Sequence, residues 1–423
     1  MSTLINSGDT AWVLASAALV LFMTPGLAIF YGGMVRAKSA LNMMMMSFAA
    51  IGVTSIIWVL YGFSLAFGKS HGGLIGGFDH LGLAGTIDSV VGPDGHQIPT
   101  LAFAMFQMTF AIITVALLSG AIADRAKYGS WVIFVAIWIT LIYLPIAHWA
   151  FASQNGEGGW IIDRLHALDF AGGTVVEINS GAAALALAIV LGKRDGFKRD
   201  PMRPHNMPLV LLGTGMLWFG WFGFNAGSAL SAGSLASVAM INTQIATAAA
   251  SMTWVAYEKR RDGKATTLGV ASGAVAGAVA ITPACGFVNP LGALILGLIA
   301  GIVSAWAVTR KYKFGYDDSL DVVGVHGVGG LIGMLSIGLL ATITANAAGA
   351  NGLFFHGGLN QLWRQAEAAL SVALFSFAGT WAIATVISKT IGFRAHRDDE
   401  LTGLDTTFHA ESAYDITGNS NRY

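Results

Sequence analysis

Two ionisable residues lie within long apolar runs, where water is not available to solvate them: Glu177 and His326. A charge inside a membrane span is costly and faces a cavity or the interior of a bundle. A carboxylate and an imidazole placed together there can serve in two ways. As structure, the carboxylate accepts a hydrogen bond from the imidazole and ties two half-bundles together. As chemistry, the pair is a polar station in a narrow apolar pore, where a shared proton moves at ordinary pH. The second reading is preferred because the two residues occupy corresponding places of an internal repeat, described below.

The other candidates are weighed against simpler roles. Asp169 and Asp321 each open an apolar stretch, where Asp serves as an N-cap and its charge suits the helix dipole. Asp318 follows Asp317 close to Lys313, and a solvated loop pair is the expected arrangement. The run Gly220-Trp221-Phe222-Gly223-Phe224-Asn225-Ala226-Gly227-Ser228 closes an apolar stretch. Its aromatics are either an interfacial belt or a cage whose ring faces attract a small cation, with the Ser228 hydroxyl as acceptor. On spacing alone Phe110 is one more apolar residue. His148 and Trp149 read as interface anchors, and the single cysteine, Cys285, as a packed small residue.

The elements that must position these residues are membrane helices. The 423-residue chain is 55% hydrophobic and 11% charged, against about 25% charged in a soluble domain. Such a surface needs lipid as solvent. The 54 glycines, many inside apolar runs, let helix backbones approach closely in a bilayer. A transmembrane helix takes about 20 mostly apolar residues. Eleven stretches qualify: 10–33, 42–67, 100–122, 130–151, 169–191, 207–229, 237–256, 267–284, 291–309, 324–345 and 367–391. With the N-terminus outside and the spans alternating, only Lys69, Arg164 and Arg364 of the 23 basic residues fall outside. The segregation obeys the positive-inside rule and predicts an odd number of spans and a cytoplasmic tail.

The fifth and tenth spans also look alike. Leu168-Asp169 precedes Val176, Glu177 and Gly181, and Leu320-Asp321 precedes Val325, His326 and Gly330. Aligning Glu177 with His326 aligns Gly181 with Gly330. A repeat of five helices must be inverted in the membrane, which places a pathway at the interface of the halves. At 1.5 Å per residue Glu177 lies about 12 Å from the outer end of its span and His326 about 8 Å from the inner end of its own. Both depths fall in the central part of a core about 30 Å thick. The expected fold is therefore an all-α membrane protein with two inverted five-helix repeats, a final helix and a pore between the repeats. The transmembrane domain spans 1–393 and a cytoplasmic tail spans 394–423.

Several segments together resemble the ammonium transporter (Amt/Mep/Rh) family. Asp169 to Val176, Gly220 to Ser228 and Asp321 to Val328 are similar to its signatures in spans five, six and ten, and Pro145 to His148 and Thr282 to Gly286 are similar to further family segments. The resemblance runs from about residue 10 to Tyr414. It implies a homotrimer in a cell membrane with one pore per subunit, carrying ammonium or ammonia, with methylammonium as an alternative substrate. It implies an outer site of Ser228 with an aromatic cage, a gate of Phe110 and Phe224 below it, support by Asp169, and an inner face where P-II signalling proteins dock. Two departures stand out. Glu177 takes the place of the first pore histidine, as in a fungal subgroup. Phe151 stands where a tryptophan is usual at the outer site, with Trp149 two residues earlier; Phe is the weaker cation–π partner. Trp221 joins Phe110, Phe151, Trp149, Phe224 and Ser228 as a candidate lining residue, with Asp318 and Asp321 as support.

No metal, cofactor or enzymatic constellation is evident in the sequence. The expected function is uptake: ammonium bound outside, deprotonated, and passed as ammonia, with or without the proton following along Glu177 and His326. The alternatives are an ammonium sensor acting through a docked partner and an electroneutral gas channel.

Overall fold

The computed structural model describes residues 5–414. Residues 415–423 of the expected tail, Arg422 among them, lie outside the described residues. Ten helices are long and apolar enough to cross a membrane: α1 (Ser7–Met34), α2 (Ala37–Phe67), α3 (Thr100–Ile122), α4 (Tyr128–Phe151), α5 (Gly173–Leu191), α6 (Met207–Gly227), α7 (Ser234–Asp262), α9 (Pro290–Phe314), α10 (Val323–Leu340) and α11 (Asn360–Thr390). Between α7 and α9 stands a shorter apolar helix, α8 (Thr267–Ile281). Expected stretch eight, 267–284, runs past the end of α8. The chain leaves the helix at Thr282-Pro283, and Phe170 donates its N–H to the Pro283 carbonyl at 3.0 Å. Two hairpins of two-residue strands decorate the loop between α2 and α3. The rest of the framework is helical.

Side-chain caps mark many of the helix starts. Asn6, Asn206, Thr266 and Asn289 accept from the N–H groups of Asp9, Leu209, Gly269 and Gly292 at 2.8–3.1 Å, satisfying donors that the helix leaves unpaired. α7 and α11 begin earlier than their expected stretches, because polar first turns extend beyond the apolar windows. Small residues bring the helices together. A Cβ on Gly213 or Gly220 of α6 would come within 2.5 Å of Phe30 N or 2.2 Å of Met23 Cγ on α1. A Cβ on Gly277 of α8 or Gly297 of α9 would come within 2.5 Å of the Ala246 carbonyl of α7. Lipid offers no hydrophobic drive between helices, so close backbone packing of this kind supplies the attraction.

The tail turns back over one end of the bundle. Two short helices, α12 (Arg397–Thr402) and α13 (Leu404–His409), follow α11. Asp405 of α13 accepts from Leu41 and Asn42 N–H at 3.0 and 2.8 Å, capping the start of α2 from 363 residues away. Arg394 holds Glu400 at 2.6 Å, and Tyr414 bonds His205 and Asn206 at 2.9 and 3.1 Å.

Asp317 and Asp318, expected as a solvated loop pair, are buried at 0% and 1% exposure. The Arg194 guanidinium grips Asp317 with two contacts of 2.9 Å and also reaches Asp124 at 3.3 Å. Arg125 donates to the Asp317 carbonyl at 2.6 Å. These ion pairs and hydrogen bonds make the burial tolerable.

Candidate functional site

α5 and α10 each begin with one π-helical turn, Gly173–Ile178 and Val323–Gly327. Wide turns of this kind recur at functional sites. Each carries one of the ionisable residues. His326 Nδ1 and Glu177 Oε2 are hydrogen-bonded at 2.7 Å across 149 residues of chain. Their side chains are 4% and 1% exposed. Glu177 Oε1 has no partner.

Glycines allow the two turns to meet. A Cβ on Gly181 would come within 2.1 Å of Gly327 Cα, and one on Gly330 within 2.7 Å of Glu177 Cβ. Each helix therefore presents a glycine, four residues beyond its ionisable residue, to the turn of the other.

The starts of α5 and α10 are held by matching carboxylates. Asp169, eight residues before Glu177, accepts from the N–H groups of Gly172, Gly173 and Thr174 at 2.8, 2.6 and 2.8 Å and from the Thr174 hydroxyl. Asp318, eight residues before His326, accepts from Val323 N–H at 2.7 Å. The expected cap of α10 was Asp321. Its carboxylate instead pairs with the buried Lys311 ammonium at 2.6 Å, while its backbone takes φ +64°. Asp318 thus does the work expected of Asp321, because three further residues of chain let its carboxylate reach back to the first free N–H groups. Lys311 also donates to the Asp318 carbonyl at 2.8 Å.

Burial pushes the Asp318 carboxyl up to about 6, against the pull of Lys311. A raised carboxyl contributes its stability below its unfolded value near pH 4 and loses it as pH rises through about 6. Asp318→Asn still offers Val323 an acceptor and has no proton to lose. Its thermal midpoint, relative to wild type, is expected to rise from about pH 4 to about pH 7. A difference independent of pH would contradict this assignment.

Above the buried pair the aromatics divide into layers. A cavity of about 170 Å³ is lined by Phe103, Phe106, Gln107, Phe110, Phe151, Asp169, Phe170 and Ser228, among others. Ser228 donates to the Phe224 carbonyl at 2.8 Å, which leaves its lone pairs free to accept. Phe110 and Phe224 close the floor, with ring centroids 4.3 Å apart and planes at 38°. Beneath them is a chamber of about 20 Å³, lined by Glu177, His326, Trp221, Phe224, Val176, Tyr31 and other apolar side chains. That volume suits a molecule of the size of water. A space of about 10 Å³ continues past His326 toward Leu320 and Met34. A wider recess of about 530 Å³ shares Phe103, Phe151 and Leu230 with the first cavity.

The structure thus brings Phe110, Phe151, Asp169 and Ser228 to one cavity and Trp221, Phe224, Glu177 and His326 to the next. Trp221 lies on the inner side of the phenylalanine pair, where it donates to the Thr282 hydroxyl at 2.9 Å. Trp149 faces away from both cavities. It donates to the Leu74 carbonyl at 2.8 Å and packs on Phe375 and Trp160. His148 is fully buried, bonded to the Ala66 carbonyl and the Ser70 hydroxyl at 2.8 Å each. Neither is an interface anchor, since both contact the loop after α2. Phe103, Phe106, Gln107, Phe170 and Tyr31 are lining residues that the sequence reading missed. The spacing of Phe103, Phe106 and Phe110 on one helix face was visible, but in an apolar helix such a stripe does not stand out.

An enclosed apolar conduit through a helical membrane bundle, interrupted by one buried ionisable pair, defines a membrane transporter or channel for a small solute. The chain belongs to the Ammonium Transporter Family, whose profile matches residues 11–414. It is 53% identical to an ammonium transporter of Mycobacterium tuberculosis, over 97% of this chain and 91% of that one. Identity to the ammonium transporter of Bacillus subtilis is 47%, over 97% and 99%. The fold is similar to the crystal structure of Candida albicans Mep2, with a TM-score of 0.86, 32% identity, and coverage of 94% of this chain and 88% of that one.

Proposed function

We propose that this protein takes up ammonium by separating it into ammonia and a proton. The carrying observation is the hydrogen-bonded Glu177–His326 pair, 2.7 Å apart, in an otherwise apolar chamber beneath stacked phenylalanines. Ammonium enters the outer cavity, where the free lone pairs of Ser228 and the ring faces of Phe110 and Phe151 replace its water. A bare ion in an apolar conduit pays a large solvation cost. The ion is therefore deprotonated at the floor, and ammonia passes when Phe110 and Phe224 part. The proton is transferred separately through Glu177 and His326. Asp169, Asp318 and Asp321 hold the frame, and Trp221 shapes the chamber wall.

Further parts of the reading follow from charge and shape. α8 is the eighth of eleven crossings, with the N-terminus outside and the tail inside, in keeping with the basic residues. The paired π-helical turns and their matching caps support two inverted repeats with the pathway between them. Residues 1–393 form the transport unit, assembled as a homotrimer in the cell membrane. The tail from residue 394, docked on the loops beside α2 and α6, presents the face offered to a P-II protein.

The test uses purified protein in liposomes on a solid-supported membrane. An ammonium pulse is expected to give both uptake and a transient current. Uptake without current would leave an electroneutral gas channel; neither signal would overturn the transport reading. Outer capture has its own test. Phe151→Trp is expected to lower the half-saturating ammonium concentration roughly threefold to fivefold, from about 0.5–1 kcal/mol of added cation–π attraction. An unchanged half-saturation would remove Phe151 from the capture site.

A further inference from the structure

α9 ends in a basic and aromatic cluster that the pore does not use. Along this helix Leu291, Leu294, Leu298, Ile302 and Trp306 are exposed at helical spacing, forming an apolar stripe that ends in an indole. After a break at Val308–Thr309 the last turn is Arg310–Phe314. The Arg310 guanidinium carbon lies 4.3 Å from the centre of the Trp306 ring. Its Nε is buried and has no hydrogen-bond partner. Among the described residues, neither Arg310 nor Lys313 has a carboxylate in ion-pair range. Lys311, between them, is taken by Asp321 at 2.6 Å. Tyr312 and Phe314 are 51% and 70% exposed. Tyr312 stacks on Phe197 with centroids 5.8 Å apart, and Lys198 lies 6.0 Å from that ring.

A tryptophan closing an apolar stripe marks the level of the lipid headgroups. Two uncompensated cations at that level, beside a third on Phe197, call for a negative group. We propose that Arg310 and Lys313 bind the headgroup phosphate of an anionic phospholipid, with its acyl chains along the stripe from Trp306 to Leu291. The orphaned Arg310 Nε donates to a phosphate oxygen, and Trp306 holds the guanidinium plane in place. The same chain segment bears on the pore. A Cβ on Gly324, in the turn that carries His326, would come within 2.7 Å of Val308 Cγ1, and Lys311 supports the Asp318 loop. A lipid fixed at Arg310 therefore steadies the base of α10.

The inference depends on membrane placement and not on what crosses the pore. The test is tryptophan quenching in vesicles containing phosphatidylglycerol or phosphatidylcholine brominated in the acyl chains. The Trp306 signal is the difference between wild type and Trp306→Phe. Brominated phosphatidylglycerol is expected to quench it at roughly tenfold lower mole fraction than brominated phosphatidylcholine, from the attraction of two basic residues to an anionic lipid. The double variant Arg310→Gln, Lys313→Gln is expected to lose this preference while keeping ammonium uptake in zwitterionic vesicles. Equal quenching by both lipids in wild type, or an unchanged preference in the double variant, overturns the proposal. Relief of quenching by soluble glycerol phosphate assigns the site to a free phosphate and overturns the lipid. Should the double variant fail to fold, a salt titration of wild type decides, since a preference that persists at high ionic strength is not a headgroup charge effect.

Discussion

Glu177→Ala is expected to abolish the ammonium-evoked current while the protein remains folded. The Glu177 carboxylate is the hydrogen-bond partner of His326 Nδ1, at 2.7 Å. Removing it strands a buried imidazole nitrogen and breaks the route for a proton through the chamber. An unsatisfied buried polar group costs about 1–3 kcal/mol. If about 2 kcal/mol of that appears in the barrier to proton transfer, the current falls by a factor on the order of thirty. Glu177→Gln separates chemistry from packing. It keeps the size of the side chain and a hydrogen bond to His326, yet has no carboxylate to take up a proton. Its current is expected to vanish while ammonia uptake persists. Glu177→His restores a titratable group and is expected to restore current with a shifted pH profile. Currents of wild-type size in both Glu177→Ala and Glu177→Gln would refute the relay and leave the pair a structural tie.

Gly181→Ala is expected to damage the fold and transport together. The new methyl would stand 2.1 Å from Gly327 Cα and 2.4 Å from Gly327 N. Those are backbone atoms of the π-helical turn that carries His326, so no side-chain rotation relieves the clash. Overpacking a tight interface costs about 1–3 kcal/mol and sometimes more; contact with rigid backbone puts this substitution at the upper end, about 3 kcal/mol. The two turns must separate, which also lengthens the Glu177–His326 bond. Gly52→Ala, where an added Cβ meets nothing within 4 Å, is the matched control. Thermal unfolding in detergent and uptake in liposomes read both effects. A Gly181→Ala protein as stable and active as Gly52→Ala would show that the close approach of α5 and α10 is dispensable.

The sequence by itself determined the class of protein. Its apolar runs and low charge demand a bilayer, because the solvation cost of such a surface in water is a property of composition. Glu177 and His326 were legible for the same reason, as charges with no solvent of their own, and their spacing to Gly181 and Gly330 pointed to contact. The capping role of Asp169 was legible because an N-cap is a local relation within a few residues. Where partners come from distant chain, the sequence was silent. Asp317 and Asp318 read as solvated until Arg194, more than a hundred residues away, placed two donors on Asp317. Asp321 read as a cap until Lys311 claimed it and Asp318 took its place. Trp149 and His148 read as surface anchors until the loop after α2 covered them. The order of the aromatics along the conduit, Phe110 above and Trp221 below, also came from tertiary structure alone. Composition and local spacing express what a residue costs in isolation; only the folded bundle determines which neighbour offsets that cost.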